Sequence, residues 1–394
     1  MDVFVPKECY PDETRVSILP GMVAKLVKKG ARVTIESGLG RTLGIHDGSY
    51  LEQGARVSSD RPAELRTADL VLRLRKPPLA DLAFLRAGGI QIGLLDPFAE
   101  RDLVGRLAAA GVTAVSLEMV PRITVAQKMD ALSSQANLAG YVAVISAANA
   151  MNRIFPLMMT AAGTIKPVRL LVIGVGVAGL QAIATARRLG AAVEAFDTRP
   201  VVEEQVKSLG AKFVNIDLGE TGQTAGGYAK ELTPTQLQKQ QELLAAHVTA
   251  SDVVITAAQV FGKRAPKVLT AEMIRRMRPG SVVVDTAMET GGNVEGSERD
   301  AIVDVGGVKV IGWTNLPGRV AANASEMYSN NLGAFVDHLW ANQEGMLDIK
   351  DEILRGCVIT HAGEICHELI RRFYGENASV AGSSSKEVTR TESA

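Results

Sequence analysis

Apolar runs of strand length alternate with amphipathic stretches through the first third of the chain. The strands predicted by this pattern are DVFVP, ARVTIESG, ADLVLRLR, IQIGLL and VTAVSLEMV. Between the first two, Met22 and Leu26 lie on one face of a helical pattern, and Gly30 is placed to end that helix. A second helical pattern, ERDLVGRLAAAG, precedes the fifth strand. Strands that alternate with helices predict a parallel sheet covered on both faces.

A second strand–helix series follows a long helical segment. The stretch PRITVAQKMD is polar and predicts a loop, and helical spacing then runs on from about Ser133. Gly163 and Pro167 predict a hinge before the strand RLLVI, and the series continues through VEAFD, AKFVNID, ASDVVITAA and GSVVVDTAM to VKVIGW. After Trp313 the pattern predicts a helix rich in small residues that returns to the first domain, and ILRGCVITHAGEI predicts a hairpin.

The predicted fold class is α/β, with two Rossmann-like doubly wound parallel-sheet domains and a cleft between them. The first domain is discontinuous and takes in residues 1–138 plus 322–376. Residues 139–321 form the second domain. The last segment, 377–394, is polar and rich in Ser and Thr, which predicts a disordered tail.

Composition narrows the class of protein. The 43 basic residues balance the 43 acidic ones, so no strong overall field favours binding to nucleic acid or to a membrane surface. The three cysteines form no CxxC pair and no metal-ligand spacing, which favours a reduced, cytoplasmic setting and no metal site. The longest apolar stretch, 170–186, is interrupted by three glycines, Gln181 and Thr185, and no signal-peptide pattern opens the chain. We therefore expect a soluble chain without direct membrane insertion.

The segment RLLVIGVGVAGLQAIATARRLGAAVEAFDTRP carries the clearest chemical motif. Gly174, Gly176 and Gly179 have the GxGxxG spacing between a predicted strand and a predicted helix. The first glycine permits a tight turn, the second lets the backbone approach a pyrophosphate, and the third lets the helix pack close to the strand. The N–H groups that open the helix favour phosphate. This context predicts a dinucleotide site.

An acidic residue ends the strand after this helix. Asp197 lies 18 residues beyond Gly179, where a carboxylate binds the adenosine ribose hydroxyls and repels a 2′-phosphate, so NAD(H) is favoured over NADP(H). Arg199 leaves the strictness of that preference open, because a nearby arginine can accommodate the phosphate. The alternative for Asp197 is an ordinary turn residue at a strand end.

A polar cluster and a long polar loop each allow two interpretations. The cluster, Arg122, Gln127, Asp130, Ser133 and Ser134, precedes the connecting helix and is placed to face the predicted cleft; the alternative is a solvated loop with Ser133 or Ser134 as helix N-cap. The loop LGETGQTAGGYAKELTP is long enough for an active-site lid, or it is a surface excursion without a role.

The histidines are expected to be surface or packing residues rather than catalysts. None lies beside the glycine motif or the polar cluster, no HExxH spacing is present, and there is no GxSxG nucleophile motif. They are His46, His247, His338, His361 and His367.

Four segments, IGVGVAGLQAIATARRLGAAVEAFDTRP, VPRITVAQKMDALSSQANLAGY, TAGGYAKEL and GVKVIGWTNLPGRV, together resemble the NAD(H)-binding component (domain I) of proton-translocating NAD(P) transhydrogenases. The resemblance runs from VPKECYPDETRVSILP to VITHAGEI, and only the polar tail lies outside it. In particular, the chain is similar to the separate alpha subunit of three-subunit bacterial enzymes. In longer homologues, the chain would continue from the tail into the membrane.

The resemblance implies a reaction and partners. It implies a homodimer that docks on the cytoplasmic side of a membrane-spanning subunit. NADH bound to this chain would pass a hydride directly to NADP+ on an NADP(H)-binding beta subunit, with the Si/Re stereospecificity of the family. The membrane partner would couple this transfer to proton translocation. NADP(H) would be bound by the partner and not by this chain.

The resemblance also assigns site residues. Arg122, Asp130 and Ser133 would position the dihydronicotinamide and its ribose, and Gln127 would reach toward the NADP(H) side. AGGYAKE matches the family's mobile loop, which closes over bound NAD(H), with Tyr228 at its tip. Gln259, in TAAQVFGKRAP, stands where the family has an apolar residue near the adenosine. The glycines, Asp197, Arg199 and Tyr228 are joined in the predicted cofactor-binding set by Val177, Ala178, Thr198, Ala257 and Ala258.

Alanine dehydrogenase, a relative with the same fold, is the alternative. It must polarise and protonate its substrate, and it uses a lysine and a histidine of the first domain. At the lysine position this chain has Arg75, with Lys76 one step off, and IGLLDPFAE contains no histidine. Hydride transfer between two nicotinamides needs positioning and exclusion of water rather than an acid–base pair, so the missing pair favours it. A third possibility is a module that senses NAD(H) without chemistry.

Overall fold

The computed structural model describes residues 1–219, 221–222, 229–341 and 347–375. The chain folds as two compact units, one formed by Met1–Leu132 with the segment that begins at Ala321, and the other by Ser133–Val320. The sequence pattern predicts a second domain at 139–321, and the observed unit begins earlier, inside the connecting helix. The predicted tail, 377–394, lies outside the described residues.

Unit 1 alternates strands and helices as its hydrophobic pattern predicts. In chain order its first elements are β1 (Asp2–Val5), α1 (Pro20–Lys28), β2 (Arg32–Glu36), α2 (Asp47–Leu51), β3 (Arg56–Ser58), α3 (Arg61–Thr67), β4 (Leu70–Arg75), β5 (Ile90–Leu94), α4 (Arg101–Ala109) and β6 (Thr113–Ser116).

The strands of unit 2 and the helix that leads into it come next. These elements are α5 (Ala131–Ala150), β7 (Met158–Thr160), β8 (Gly163–Ile165), β9 (Arg169–Ile173), α6 (Val177–Arg188), β10 (Ala192–Phe196), α7 (Glu203–Ser208), β11 (Lys212–Phe213), α8 (Pro234–Ala250), β12 (Val253–Thr256), α9 (Ala271–Arg275), β13 (Val282–Asp285), β14 (Ile302–Val305) and β15 (Val308–Ile311). The chain then returns to unit 1 through α10 (Ala321–Ala341), α11 (Glu352–Cys357), β16 (Val358–His361) and β17 (Glu364–Ile365).

Both large sheets have the doubly wound order, which confirms the predicted fold class. In unit 1 the order is β17-β16-β6-β5-β4-β1-β2-β3, with β16 and β17 antiparallel at one edge. In unit 2 the order is β11-β10-β9-β12-β13-β15-β14, parallel except for β14. Strand order reverses between β1 and β4 in unit 1, and between β9 and β12 in unit 2. We call these two places the switch points, because ligands of open α/β sheets bind at the carboxyl ends of the strands there.

The sheet of unit 2 is buried on both faces. Leu170 and Val172 of β9 pack into one apolar core together with α6, while Leu171 and Ile173 pack into a second core with residues of α8. A parallel sheet covered on both sides needs such continuous apolar strands. The core therefore fixes the strand ends from which the glycine turn emerges.

Several local predictions were wrong. PRITVAQKMD is not a plain loop, because Thr124–Met129 forms a 3-10 helix whose Ala126 and Met129 are buried. The predicted hinge before β9 contains the antiparallel hairpin β7–β8. The first half of ILRGCVITHAGEI is the helix α11, because Asp351 Oδ1 accepts the backbone N–H groups of Ile353 and Leu354 and so caps it. The second half does form the predicted hairpin, β16–β17.

Within the described parts of the chain, no helix combines the length and the apolar character that crossing a membrane requires.

Candidate functional site

The glycine turn of unit 2 lies at its switch point. Gly174 follows β9 with φ +97°, and a Cβ built on it would lie 2.6 Å from the carbonyl carbon of Ala257. A Cβ on Gly179 would lie 2.0 Å from the carbonyl oxygen of Gly174, so the missing side chain lets α6 pack against the strand end. Both positions therefore require glycine for steric reasons.

The beginning of α6 is the part of this turn that is open. Gly176 is its N-cap and makes no side-chain capping bond, and Val177 and Ala178 form the first turn and are half-buried. A Cβ built on Gly176 would meet no described atom within 4 Å. The first N–H groups of a helix lack intrahelical acceptors and carry partial positive charge. Space beside this backbone and donors at the helix start suit a pyrophosphate.

Asp197 and Arg199 hold the glycine turn from the side of β10. Asp197 Oδ2 accepts the N–H of Val175 at 2.7 Å, and the carboxylate is bound by the guanidinium of Arg199 through Nε and Nη2, each at 2.9 Å. Arg199 Nη2 also donates to the Val175 carbonyl at 3.0 Å. The hydrogen bond to Asp197 raises the pKa of Arg199, which keeps it cationic. Thr198, between the two, is half-buried.

Asn293 fixes the other side of the site, and no motif or spacing in the sequence pointed to it. Asn293 is buried, its Oδ1 accepts the N–H of Ala258 at 3.1 Å, and its Nδ2 donates to the carbonyls of Ala258 and Pro266, each at 2.8 Å. Asp285, at the end of β13, in turn accepts the N–H groups of Asn293 and Val294 at 3.0 Å. Two buried polar side chains thus hold the backbone after β12, which abuts Gly174.

Gly140 of α5 is a second residue that sequence reasoning missed. A Cβ there would lie 2.1 Å from the carbonyl oxygen of Ala178, so α5 packs directly on the first turn of α6. A glycine in the middle of a helix costs stability unless it permits a close approach. Its position inside an otherwise regular 20-residue helix is the signal that could have identified it.

The predicted nicotinamide-site residues divide between the two units. Arg122 and Gln127 are exposed and Asp130 is half-buried, all in unit 1, while the half-buried Ser133 lies in unit 2. In unit 1 the segment is anchored by Asn331 of α10, whose Nδ2 donates to the Lys128 carbonyl at 2.8 Å. Since α5 begins at Ala131, Ser133 and Ser134 lie within its first turn, and the N-cap interpretation was wrong.

Two further predicted features stand differently. Tyr228 lies outside the described residues, as does most of the predicted lid segment. Gln259 is exposed, while Ala257 and Ala258 are half-buried.

The histidines lie on the surface or pack through hydrogen bonds. His46 is exposed. His247 pairs with Glu194 at 2.8 Å, His338 with Asp351 at 3.0 Å and His361 with Thr113 at 3.0 Å, while His367 contacts the Gly356 carbonyl at 3.0 Å.

The switch point of unit 1 is filled by charged side chains. Glu8 accepts the N–H of Leu74 at 2.6 Å and that of Arg75 at 3.2 Å, and burial raises its pKa. Glu13 binds Arg15 at 2.7 Å and Arg75 at 2.9 Å. Burial alone would raise the pKa of Glu13, but its hydrogen bond to Arg15 and the charges of both arginines lower it to about 2. This edge therefore holds a closed ionic network.

Lys76, one step from the position of the alanine dehydrogenase lysine, is engaged elsewhere. It lies against Glu100 and over the ring of Tyr10, beside a surface cavity of about 300 Å³. Burial would lower its pKa, but the hydrogen bond to Glu100 raises it above the ordinary value. A lysine held as a cation is a poor general base. Among the described residues there is also no group of three potential metal ligands.

Comparisons with known proteins agree with this geometry. Residues 4–139 match the alanine dehydrogenase/PNT N-terminal domain, and residues 143–368 match the C-terminal domain of the same family. An NAD(P) transhydrogenase subunit alpha from Rickettsia prowazekii is 44% identical over 95% of this chain and 98% of its own length.

Two solved structures extend the comparison. A transhydrogenase from Sinorhizobium meliloti is 44% identical, with a TM-score of 0.83 over 93% of this chain and 100% of that one. An L-alanine dehydrogenase is 26% identical, with a TM-score of 0.79 over 95% of this chain and 99% of its own. The chain therefore belongs to the family of NAD(P) transhydrogenase alpha subunits, whose two domains are shared with alanine dehydrogenase.

Proposed function

We propose that this chain binds NAD(H) at the switch point of unit 2 and presents it for hydride transfer to NADP+ on a partner subunit. The observation that carries the proposal is the open backbone at Gly176, which begins α6 next to a glycine turn locked by Asp197 and Asn293. Val177 and Ala178 would offer N–H groups to the pyrophosphate. Asp197, Thr198 and Arg199 would lie along the adenosine ribose.

Arg122, Gln127, Asp130 and Ser133 are proposed to orient the nicotinamide end. Bound NADH would itself supply the hydride, so these side chains have only to position the ring and exclude water. Their polar groups are hydrogen-bond donors and acceptors of the kind that hold a carboxamide and a ribose. Gln127 is exposed, which suits a residue that reaches toward the NADP(H)-binding partner. Ala257 and Ala258 present small side chains beside the turn, and Tyr228 completes the proposed set.

The proposed assembly includes partner subunits. The chain would lie on the cytoplasmic side of the membrane, peripheral to it, bound to a membrane-spanning subunit that couples hydride transfer to proton translocation. A homodimer is also proposed. It is supported by the hairpin β7–β8, where Met159 is 75% exposed and the adjoining Leu157 56%, since contiguous exposed apolar surface commonly marks an interface. Sedimentation of the purified chain tests the dimer.

The alternative, an alanine dehydrogenase-like oxidoreductase, is disfavoured by the site. Arg75 is bound to Glu13, Lys76 is bound to Glu100, and residues 91–99 contain no histidine. An assay with pyruvate, ammonium and NADH decides the matter, because steady oxidation of NADH by the isolated chain would contradict the proposal.

The first experiment is a calorimetric titration of the purified chain with NADH and, separately, with NADPH. Binding of NADH in preference to NADPH supports the assignment. Failure to bind NADH overturns it. Comparable binding of both nucleotides would overturn the assigned NAD(H) preference.

A second experiment separates a transhydrogenase subunit from an NAD(H) sensor. We expect Gln127→Ala to bind NADH normally and to lower turnover by about tenfold or more once the chain is reconstituted with the partner subunits, because misplaced reactants react slowly. Gln238→Ala, an exposed glutamine on α8, is the control and should change neither quantity. Unchanged turnover in Gln127→Ala would remove the role assigned to that residue.

A further inference from the structure

The carboxylate expected to bind the adenosine ribose is already saturated with protein donors. Asp197 Oδ1 accepts the backbone N–H of Arg199 at 2.8 Å and its Nε at 2.9 Å. Asp197 Oδ2 accepts the Val175 N–H at 2.7 Å and Arg199 Nη2 at 2.9 Å. A carboxylate offers about four lone-pair directions. A ribose hydroxyl must therefore share an oxygen with Arg199 or displace it.

Arg199 is also tied to the glycine turn. Its Nη2 donates to the Val175 carbonyl at 3.0 Å, so the Asp–Arg pair binds both polar backbone groups of Val175. The Arg199 side chain is 12% exposed and that of Asp197 5%. The guanidinium is thus held flat against the carboxylate and the turn. In this position its charge is compensated, and three of its donor groups are used.

An arginine near the end of this strand is the group that binds a 2′-phosphate where NADP(H) is preferred. Here the arginine is in the right segment of the chain but is held by the acid two residues before it. Guanidinium pairs with phosphate as readily as with carboxylate, in the same two-pronged geometry. The partner that Arg199 selects therefore depends on whether Asp197 is charged.

We propose that Arg199 is a specificity-determining residue whose guanidinium is held by the Asp197 carboxylate and the Val175 carbonyl, and that loss of that carboxylate frees it to bind the 2′-phosphate of NADPH. In the native chain Arg199 strengthens NADH binding by holding the turn and adds nothing to NADPH binding. The inference rests on the proposed function, since it concerns the same adenosine site.

The test is a double-mutant cycle read by calorimetry with NADH and NADPH. Asp197→Asn keeps an acceptor for the Val175 N–H and removes the charge. We expect it to raise NADPH affinity by about tenfold or more, the effect of a new charge-assisted hydrogen bond. Arg199→Ala alone should weaken NADH binding without improving NADPH binding. The double variant should lose the NADPH gain, and Asp197→Asn with Arg199→Lys should recover some of it.

Two controls secure the interpretation. Arg188→Ala removes an exposed arginine from the last turn of α6 and should change neither affinity. The fragments 2′,5′-ADP and 5′-ADP separate the 2′-phosphate from the rest of the nucleotide, and only the former should gain affinity in Asp197→Asn. Should that variant not fold, Asp197→Ser replaces it in the cycle.

Each outcome has one meaning. An NADPH gain that survives in the double variant would overturn the inference, because simple removal of repulsion would then explain it. The same holds for the absence of any gain in a variant that still binds NADH. Failure of the native chain to bind NADH would instead overturn the proposed function.

Discussion

The two units share a doubly wound strand order but have opposite contents at their switch points. In unit 2 the turn after β9 is glycine, and the backbone of Ala257 lies where a Cβ of Gly174 would be. In unit 1 the turn after β1 leads into Glu8, whose carboxylate bonds the N–H groups at the end of β4. One site is lined by backbone and the other is filled by ionised side chains.

The comparison becomes sharper at the second strand of each unit. Glu36 ends β2, accepts the N–H of Lys7 at 2.8 Å and is bound by Arg61 at 2.6 Å. Asp197 follows β10, accepts the N–H of Val175 and is bound by Arg199. An acid with an arginine thus steadies the first turn in both units. What makes unit 2 fit for a nucleotide is the small residues at the switch point, because the acid is common to both.

The strongest way to break this comparison is to give unit 2 a side chain at the turn. Gly174→Ala places a Cβ 2.6 Å from the Ala257 carbonyl carbon, in a backbone conformation that only glycine adopts readily. We expect NADH affinity to fall at least about a hundredfold, with a loss of stability of about 2 kcal/mol or more. Calorimetry and urea unfolding measure the two effects.

Gly105→Ala is the control for that substitution. Gly105 lies within α4 of unit 1, and a Cβ there meets no described atom within 4 Å. Alanine should leave NADH binding unchanged and stabilise the helix slightly. Normal NADH binding by Gly174→Ala would show that the turn is not the nucleotide site.

The second prediction concerns the ionic network of unit 1. Glu13→Gln leaves Arg15 and Arg75 with less compensation in a buried site, so we expect the free energy of unfolding at pH 7 to fall by about 3 kcal/mol. NADH affinity should be unaffected, since this switch point is not proposed to bind the nucleotide. Urea unfolding at several pH values provides the measurement.

The pH dependence gives that prediction a sign. The pKa of Glu13 is about 2 in the folded chain and 4.5 ordinarily, so its stabilising effect is complete above pH 4.5 and is lost as pH falls toward 2. The difference between native chain and variant should therefore shrink as pH is lowered from 7 to 3. Asp102→Asn, which removes an exposed i,i+4 pair with Arg106, should cost no more than about 0.5 kcal/mol. A difference that grows on acidification would contradict the argument.

The smallest predicted effect lies at the far side of the site of unit 2. Asn293→Ala removes three hydrogen bonds that fix Ala258 and Pro266, so we expect NADH affinity to fall by about tenfold. Asn293→Asp keeps the acceptor and loses the donors, and should fall between the two. Native-like affinity in Asn293→Ala, in a chain that has lost stability, would assign Asn293 a purely structural role.

The features of the fold that depend on local pattern could be predicted from the sequence. The alternation of strands and helices, the glycine turn and the acid at Asp197 each have a short-range signature. The start of α5 was missed because the serines at 133 and 134 suggested a cap, whereas the helix begins earlier, at Ala131. Helix α11 was missed because its β-branched and apolar residues suit a strand equally well.

The supporting residues of the site could not be predicted in this way. Asn293 bonds a backbone 35 residues away, and nothing in its neighbourhood indicates the partner. The orientation of Arg199 was equally open, since an arginine at this place can turn toward a phosphate or toward the acid. Such contacts depend on where the strands bring distant segments together, so they follow from the fold and not from spacing.

The hold of Asn293 on Ala258 has a consequence for how this protein can vary. Because the turn after β12 is fixed through main-chain atoms, the side chains that follow it can change without moving the turn. Gln259, which is exposed and replaces an apolar residue of the wider family pattern, is a substitution of this kind. Evolutionary drift and deliberate engineering thus have freedom at 259–264, while the amide at 293 has almost none.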